Sequence, residues 1–105
     1  MESEADMAQL LNDFATISGT KLLVHGGGRS ATKLAERLGI PTQMVDGRRI
    51  TDDAMLEVVT MVYGGLVNKR VVAQLQARGM NALGMTGADM NILLSDKRPV
   101  TTIDY

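Results

Sequence analysis

The sequence predicts a layered α/β domain, and three observations predict it. Amphipathic helical stretches alternate with short apolar runs. Glycine, proline and Asp-Gly punctuation separates these stretches, with no linker or low-complexity segment between them. The chain has 105 residues, 45% hydrophobic and 22% charged, which suits one domain with a modest core and few strands.

The elements follow in order. Ser3 with Asp6 reads as a helix N-cap with an acidic first turn. Met7, Leu10, Leu11, Phe14 and Ile17 then share one helical face, and Ser18-Gly19 ends it. Residues 21–25 (K-L-L-V-H) are a short apolar run, expected as a buried strand. Gly26-Gly27-Gly28 follow as a tight turn, because neither strand nor helix tolerates three glycines well. Residues 30–38 are expected as a helix with Ala31, Leu34, Ala35 and Leu38 inward, Ser30 as its candidate cap, Gly39 closing it and Pro41 beyond. Residues 43–50 read as a hairpin turning at Asp46-Gly47.

Thr51 is the expected N-cap of a long helix, with Asp52 and Asp53 in its first turn. That helix runs to about Tyr63, is weakened or kinked at Gly64-Gly65, and resumes over 66–78 before Gly79. Leu56, Val59, Tyr63, Val67, Val71 and Leu75 lie on one apolar face, which Val58, Met61, Val62 and Val72 widen. Such a face is either core or a shared interface, and a homodimer through 51–78 is the expectation. Strands are expected over 81–85 and 91–95 and from 100 onward, with loops over 86–89 and 96–99. The chain reaches Tyr105 within apparent strand structure, so a part of a larger domain, or a chain completed by another copy, is expected.

Composition excludes several functions. With 11 basic and 12 acidic residues the net charge is −1, so no strong field draws nucleic acid or an anionic membrane. Phe14, Tyr63 and Tyr105 are the whole aromatic complement, too few for a base-stacking platform. There is no cysteine, and His25 is the lone histidine, so no disulfide framework and no Cys- or His-rich metal site is expected. The acidic N-terminus lacks the order of a signal peptide, and no apolar run approaches the ~20 residues of a membrane span. The cytoplasm is the expected compartment. The eight methionines read as gap-filling core, and Asn68-Lys69, in the helix interior, as either a functional pair or a solvated Lys on the helix surface, the second being favoured.

Chemistry concentrates at the strand-GGG-helix unit. Glycines after a strand leave backbone N–H groups aimed at a ligand, and the following helix adds its positive dipole end. The unit is therefore a candidate site for phosphate or carboxylate, or else a plain turn. No P-loop string is present. Gly26, Gly28 and Ala31 satisfy G-x-G-x-x-A, and Asp46 stands about 20 residues on, so a dinucleotide-binding domain taking NAD is an alternative. Against it, Asp46 sits in a hairpin turn, and Pro41 leaves little room for a central strand. Arg48-Arg49 on the hairpin is either a carboxylate clamp or a solvated pair.

These residues also resemble a known family. V-H-G-G-G at 24–28, L-G-I at 38–40, V-D-G-R-R-I-T-D at 45–52, G-L-V-N-K at 65–69 and A-L-G-M-T-G-A-D-M-N at 82–91 stand in the order seen in the N-acetylglutamate kinases of the amino acid kinase family. The resemblance covers about residues 5–105. It implies a layered sandwich with a mainly parallel sheet, incomplete in this chain. It implies ATP-dependent phosphorylation of the side-chain carboxylate of N-acetyl-L-glutamate, a step of arginine biosynthesis, with ATP and Mg2+ as co-substrate. The residues implied in substrate binding are Gly27 and Gly28, through their backbone N–H groups, and Arg49, on the α-carboxylate. A homodimer of the amino-acid-binding lobe is implied too.

The chain also departs from the family pattern. The opening K-x-G-G strand and the ATP-binding half have no counterpart here, so no catalytic residue, no metal ligand and no kinase activity are expected of these residues alone. A non-catalytic amino-acid-binding or dimerising module is the remaining alternative.

Overall fold

The computed structural model describes residues 3–27, 29–97 and 99–104. Helix α1 spans Glu4–Thr16, and the Ser3 hydroxyl accepts from the Asp6 amide at 3.3 Å, so the expected cap forms. Helix α2 spans Ser30–Arg37. Its N-cap is Arg29 with no capping side-chain bond, which makes Ser30 the first helical residue rather than the cap. Strands β1 (Gln43–Val45) and β2 (Arg48–Ile50) pair antiparallel, with Met44 opposite Arg49. Asp46 at φ 51 and Gly47 at φ 74 make the left-handed two-residue turn that Asp-Gly foretells.

Helix α3 spans Asp53–Val59. Its cap is Asp52, whose Oδ1 accepts from the Met55 amide at 2.8 Å, and not the neighbouring Thr51. A carboxylate at this position satisfies the amide and also complements the helix dipole. The chain then stays helical through Gly64-Gly65. Thr60–Val67 is a π-helix that leads directly into α4, Asn68–Ala77. The expected kink is replaced by a wider turn.

That wider turn changes the face the helix buries. Met55, Val58 and Val62 are buried before it, and Val67, Val71 and Leu75 after it. Steps of three and four give way to a step of five between Val62 and Val67, inside the π segment. A straight α-helix would have buried Leu56, Val59 and Tyr63. Instead Leu56 is 54% exposed, and Val59 and Tyr63 are half-buried. Leu11 of α1 and Ala31 and Ala35 of α2 complete the core, the two alanines letting α2 lie close to its neighbours.

The remaining expected strands form no ladder. Among the described residues β1–β2 is the sheet, so the chain is α/β with one two-stranded antiparallel sheet. Segments 21–25 and 81–85 are strand-like in burial, which alternates along both. Leu23 and Ala82 pack on the core, while Leu22, Val24 and Leu83 are 75%, 85% and 82% exposed. Segment 91–95 is no strand. The Asp89–Asn91 turn is 3-10, with Met90 and Asn91 at positive φ, and the Leu93 amide donates back to the Gly87 carbonyl. Residues 100–103 form no strand either.

The chain exposes 7890 Å², against about 5,700 Å² for a compact monomer of its mass. Its radius of gyration is 15.6 Å, against about 13 Å for a compact domain of this length. No helix among the described residues is long and apolar enough to cross a membrane.

Candidate functional site

The structure brings the glycine turn, α2, β2 and the π segment to one place. Gly27 is buried, and its carbonyl accepts from the Ser30 amide at 3.3 Å, closing the entry to α2. A Cβ on Gly27 would stand 2.2 Å from Cδ1 and Cε1 of Tyr63. With the tyrosine ring in this place, residue 27 has no room for a side chain. A Cβ on Gly26 would meet nothing within 4 Å. Gly28, the other glycine expected to face a ligand, lies outside the described residues.

Arg49 reaches the same ring from β2. Its Nη1 donates to the Tyr63 hydroxyl at 3.0 Å, and its Nη2 to Thr32 Oγ1 on α2 at 2.8 Å. The Arg49 Nε–H is buried without a partner, and no carboxylate among the described residues pairs with this guanidinium. A half-buried cation bonded only to neutral oxygens leaves net positive charge beside a glycine turn, which is chemistry suited to an anion. Arg48, exposed on the same strand, points away from the half-buried side that Arg49 takes.

The alternatives meet the geometry differently. Asp46 is exposed in an antiparallel hairpin turn, so it does not stand at the tip of a parallel strand as a ribose acid would. His25 Nδ1 lies 2.9 Å from the Gly26 carbonyl, which the Nδ1–H tautomer would donate to. Lys69 lies on the exposed surface of α4, as expected, and Asn68 does not. Asn68 is buried, its Nδ2 donates to the Met85 carbonyl at 2.9 Å, and Lys69 Nζ beside it reaches the Gly84 carbonyl at 3.2 Å. This pair fastens segment 81–85 to α4. A cleft of about 490 Å³ opens between the two strand-like segments, lined by Leu23, His25, Asn68, Val72, Ala82 and Gly84. It excludes Gly27 and Arg49. Among the described residues, no three His, Asp or Glu side chains gather to hold a metal ion.

Thr32 and Tyr63 escaped the sequence reading. Tyr63 looked like one more apolar position on a straight helix, and the signal that it is not was Gly64-Gly65 directly after it. The glycines lie in the π segment, which gives Val62 the fully buried position and leaves Tyr63 half-buried at the core's edge.

The sequence pattern of the amino acid kinase family matches residues 1–105. The chain is 70% identical over its whole length to a protein named acetylglutamate kinase from Bacteroides thetaiotaomicron, and spans 41% of that relative. It is 70% identical, with the same coverage, to an acetylglutamate kinase of Parabacteroides distasonis. An acetylglutamate kinase of Methanopyrus kandleri is 46% identical over 88 residues, 84% of this chain and 36% of the relative. The chain thus spans about two fifths of the length of the curated relatives it matches.

Proposed function

The chain belongs to the amino acid kinase family, and on that premise we propose that it is the amino-acid-binding part of an acetylglutamate kinase. The observation that carries this reading is Arg49, half-buried beside Gly27, with two donors fixed by neutral oxygens and no carboxylate of its own. Its remaining N–H groups suit the α-carboxylate of N-acetyl-L-glutamate. The backbone N–H groups of Gly27 and Gly28 suit the anionic end that accepts phosphoryl. An oxygen of the side-chain carboxylate would attack the γ-phosphorus of ATP, forming an acyl phosphate and releasing ADP.

The contribution of these residues to that reaction is positioning and charge neutralisation, the main resources of phosphoryl transfer. ATP is the co-substrate, and its Mg2+ finds no carboxylate cluster among the described residues. We assign the nucleotide to parts of the enzyme beyond these 105 residues, since the relatives are more than twice as long. The strand-like segments 21–25 and 81–85 belong, on the same reading, to a mainly parallel sheet of a layered sandwich. Their alternating burial and exposed apolar side chains support this. Exposed Leu56, Met61 and Leu66 support a homodimer through 51–78.

The test is calorimetric titration of the full-length protein carrying this chain with N-acetyl-L-glutamate and, separately, with NAD. Binding of the acylglutamate, weakened about 10- to 100-fold by Arg49→Ala, is expected. Binding of NAD instead, or an acylglutamate affinity indifferent to Arg49→Ala, overturns the reading.

A further inference from the structure

We infer that Tyr63 is a positioning residue for substrate recognition, placed by the π-helix so that its hydroxyl aims Arg49 and its ring seals the glycine turn. The inference rests on the reading of Arg49 as the carboxylate holder, and it deepens that reading.

The argument begins with the helix. An α-helical path through 53–77 would put Tyr63 on the buried face with Val67 and Val71. The π segment Thr60–Val67 adds one residue to the turn, and Val62 takes the core position that Tyr63 would have had. Single wide turns of this kind distort a helix locally and occur often at functional sites. Here the distortion has a definite result. The one aromatic side chain in 51–78 is half-buried at the edge of the core and touches two elements that a carboxylate site needs.

The first of these is Arg49. A guanidinium has five N–H donors in a rigid plane, and that plane can turn about the side-chain bonds. Tyr63 Oη and Thr32 Oγ1 hold the two Nη atoms at opposite ends of the fork, at 3.0 and 2.8 Å. Two anchors fix the plane, and the direction of the unused donors with it. The anchors are neutral oxygens, so they orient the charge without neutralising it. An aspartate in either place would compete with the substrate for the same fork.

The second is Gly27. The Tyr63 ring lies where a Cβ of residue 27 would be, at 2.2 Å, so ring and turn fit only with glycine there. The same side chain therefore couples the turn that presents backbone N–H groups to the strand that presents the arginine. Pre-set geometry of this kind improves binding by removing the cost of ordering the groups on association.

Tyr63→Phe separates the hydroxyl from the ring and keeps the contact with Gly27. Two measurements on the full-length protein carrying this chain test it. In ligand-free protein, 15N-resolved NMR of Arg49 should show separate Nη signals in the wild type and merged, rotating ones in Tyr63→Phe. In calorimetry, Tyr63→Phe should raise the Kd for N-acetyl-L-glutamate about tenfold. It should raise it no further when Arg49→Ala is already present, since the hydroxyl acts through the arginine. Unchanged Nη signals in Tyr63→Phe overturn the inference, as does a Kd that Arg49→Ala weakens and Tyr63→Phe does not. If Arg49→Ala itself leaves the Kd unchanged, the carboxylate reading has failed, and the Nη signals still decide whether Tyr63 holds Arg49.

Discussion

Two regions of this chain obey the same local rules with different results. Between Ser30 and Ala77, helices α2, α3, the π segment and α4 find their packing partners in one another. Residues 21–25 and 81–85 carry equally strong apolar patterns, yet only their inward side chains are covered. A helix satisfies its backbone internally and needs a neighbour for one face only. A strand needs a neighbour for its edges as well as its face. The helical region therefore buries a continuous core although Leu56, Met61 and Leu66 stay about half exposed, whereas the strand-like segments leave Leu22, Val24 and Leu83 almost wholly in solvent.

The sharpest way to break the comparison is to delete the same side chain in both regions. Leu75 on α4 is 5% exposed and packs in the core, whereas Leu83 is 82% exposed. Leu75→Ala should cost about 2–5 kcal/mol in chemical denaturation. Leu83→Ala should stay within about 0.5 kcal/mol for the chain as described. A comparable loss at both sites would mean that something covers Leu83 in solution.

A second prediction concerns the fastening of the weaker region. A Cβ on Gly84 would stand 2.1 Å from Asn68 Oδ1 and 2.7 Å from Val72 Cγ2. Asn68 Nδ2 holds the Met85 carbonyl, so moving that amide undoes the bond. Gly84→Ala should cost about 1–3 kcal/mol by overpacking. Amide exchange should quicken over 81–85 while α3 and α4 stay protected. Faster exchange spread evenly over both regions would show that they are one cooperative unit.

What the sequence made legible follows the same division. Signals that act within a few residues translated into structure. Ser3 caps α1, Asp46-Gly47 turns the hairpin, and Gly39 and Gly79 close their helices at φ +73 and +78. The Thr51 cap moved by one residue because Asp52 offers a charged acceptor at the adjacent position. Features that depend on distant partners were not legible. Segments 21–25 and 81–85 pair with no strand among the described residues, and the run 91–95 was overruled by a turn gathered around Asp89. In the candidate site, short motifs single out Gly27 and Arg49, and the structure brings both against Tyr63. Tyr63 could not be read, because its role comes from a bond to a residue fourteen positions away and from a π turn that shifts a helical face by one place.

The smallest predicted effect sharpens the comparison at the far end of the weaker region. Asp89 is fully exposed, and its Oδ2 accepts from the Thr86 amide at 2.6 Å and the Thr86 hydroxyl at 3.1 Å. The backbone bond from Thr86, then its hydroxyl, and to a lesser degree the nearby Lys69 charge hold the Asp89 carboxyl below the ordinary 3.8. A depressed carboxyl contributes stability above its unfolded value and loses it as the pH falls through its folded value. The 86–89 turn should therefore be indifferent to pH between 7 and 5, and should open only below the ordinary carboxylate range. In an NMR titration the Thr86 amide and the Asp89 carboxyl should move together there, with helix α4 unchanged, and Asp89→Asn should remove the transition. A Thr86 amide that moves only when the helices unfold would show that the turn is held by the core rather than by its own carboxylate.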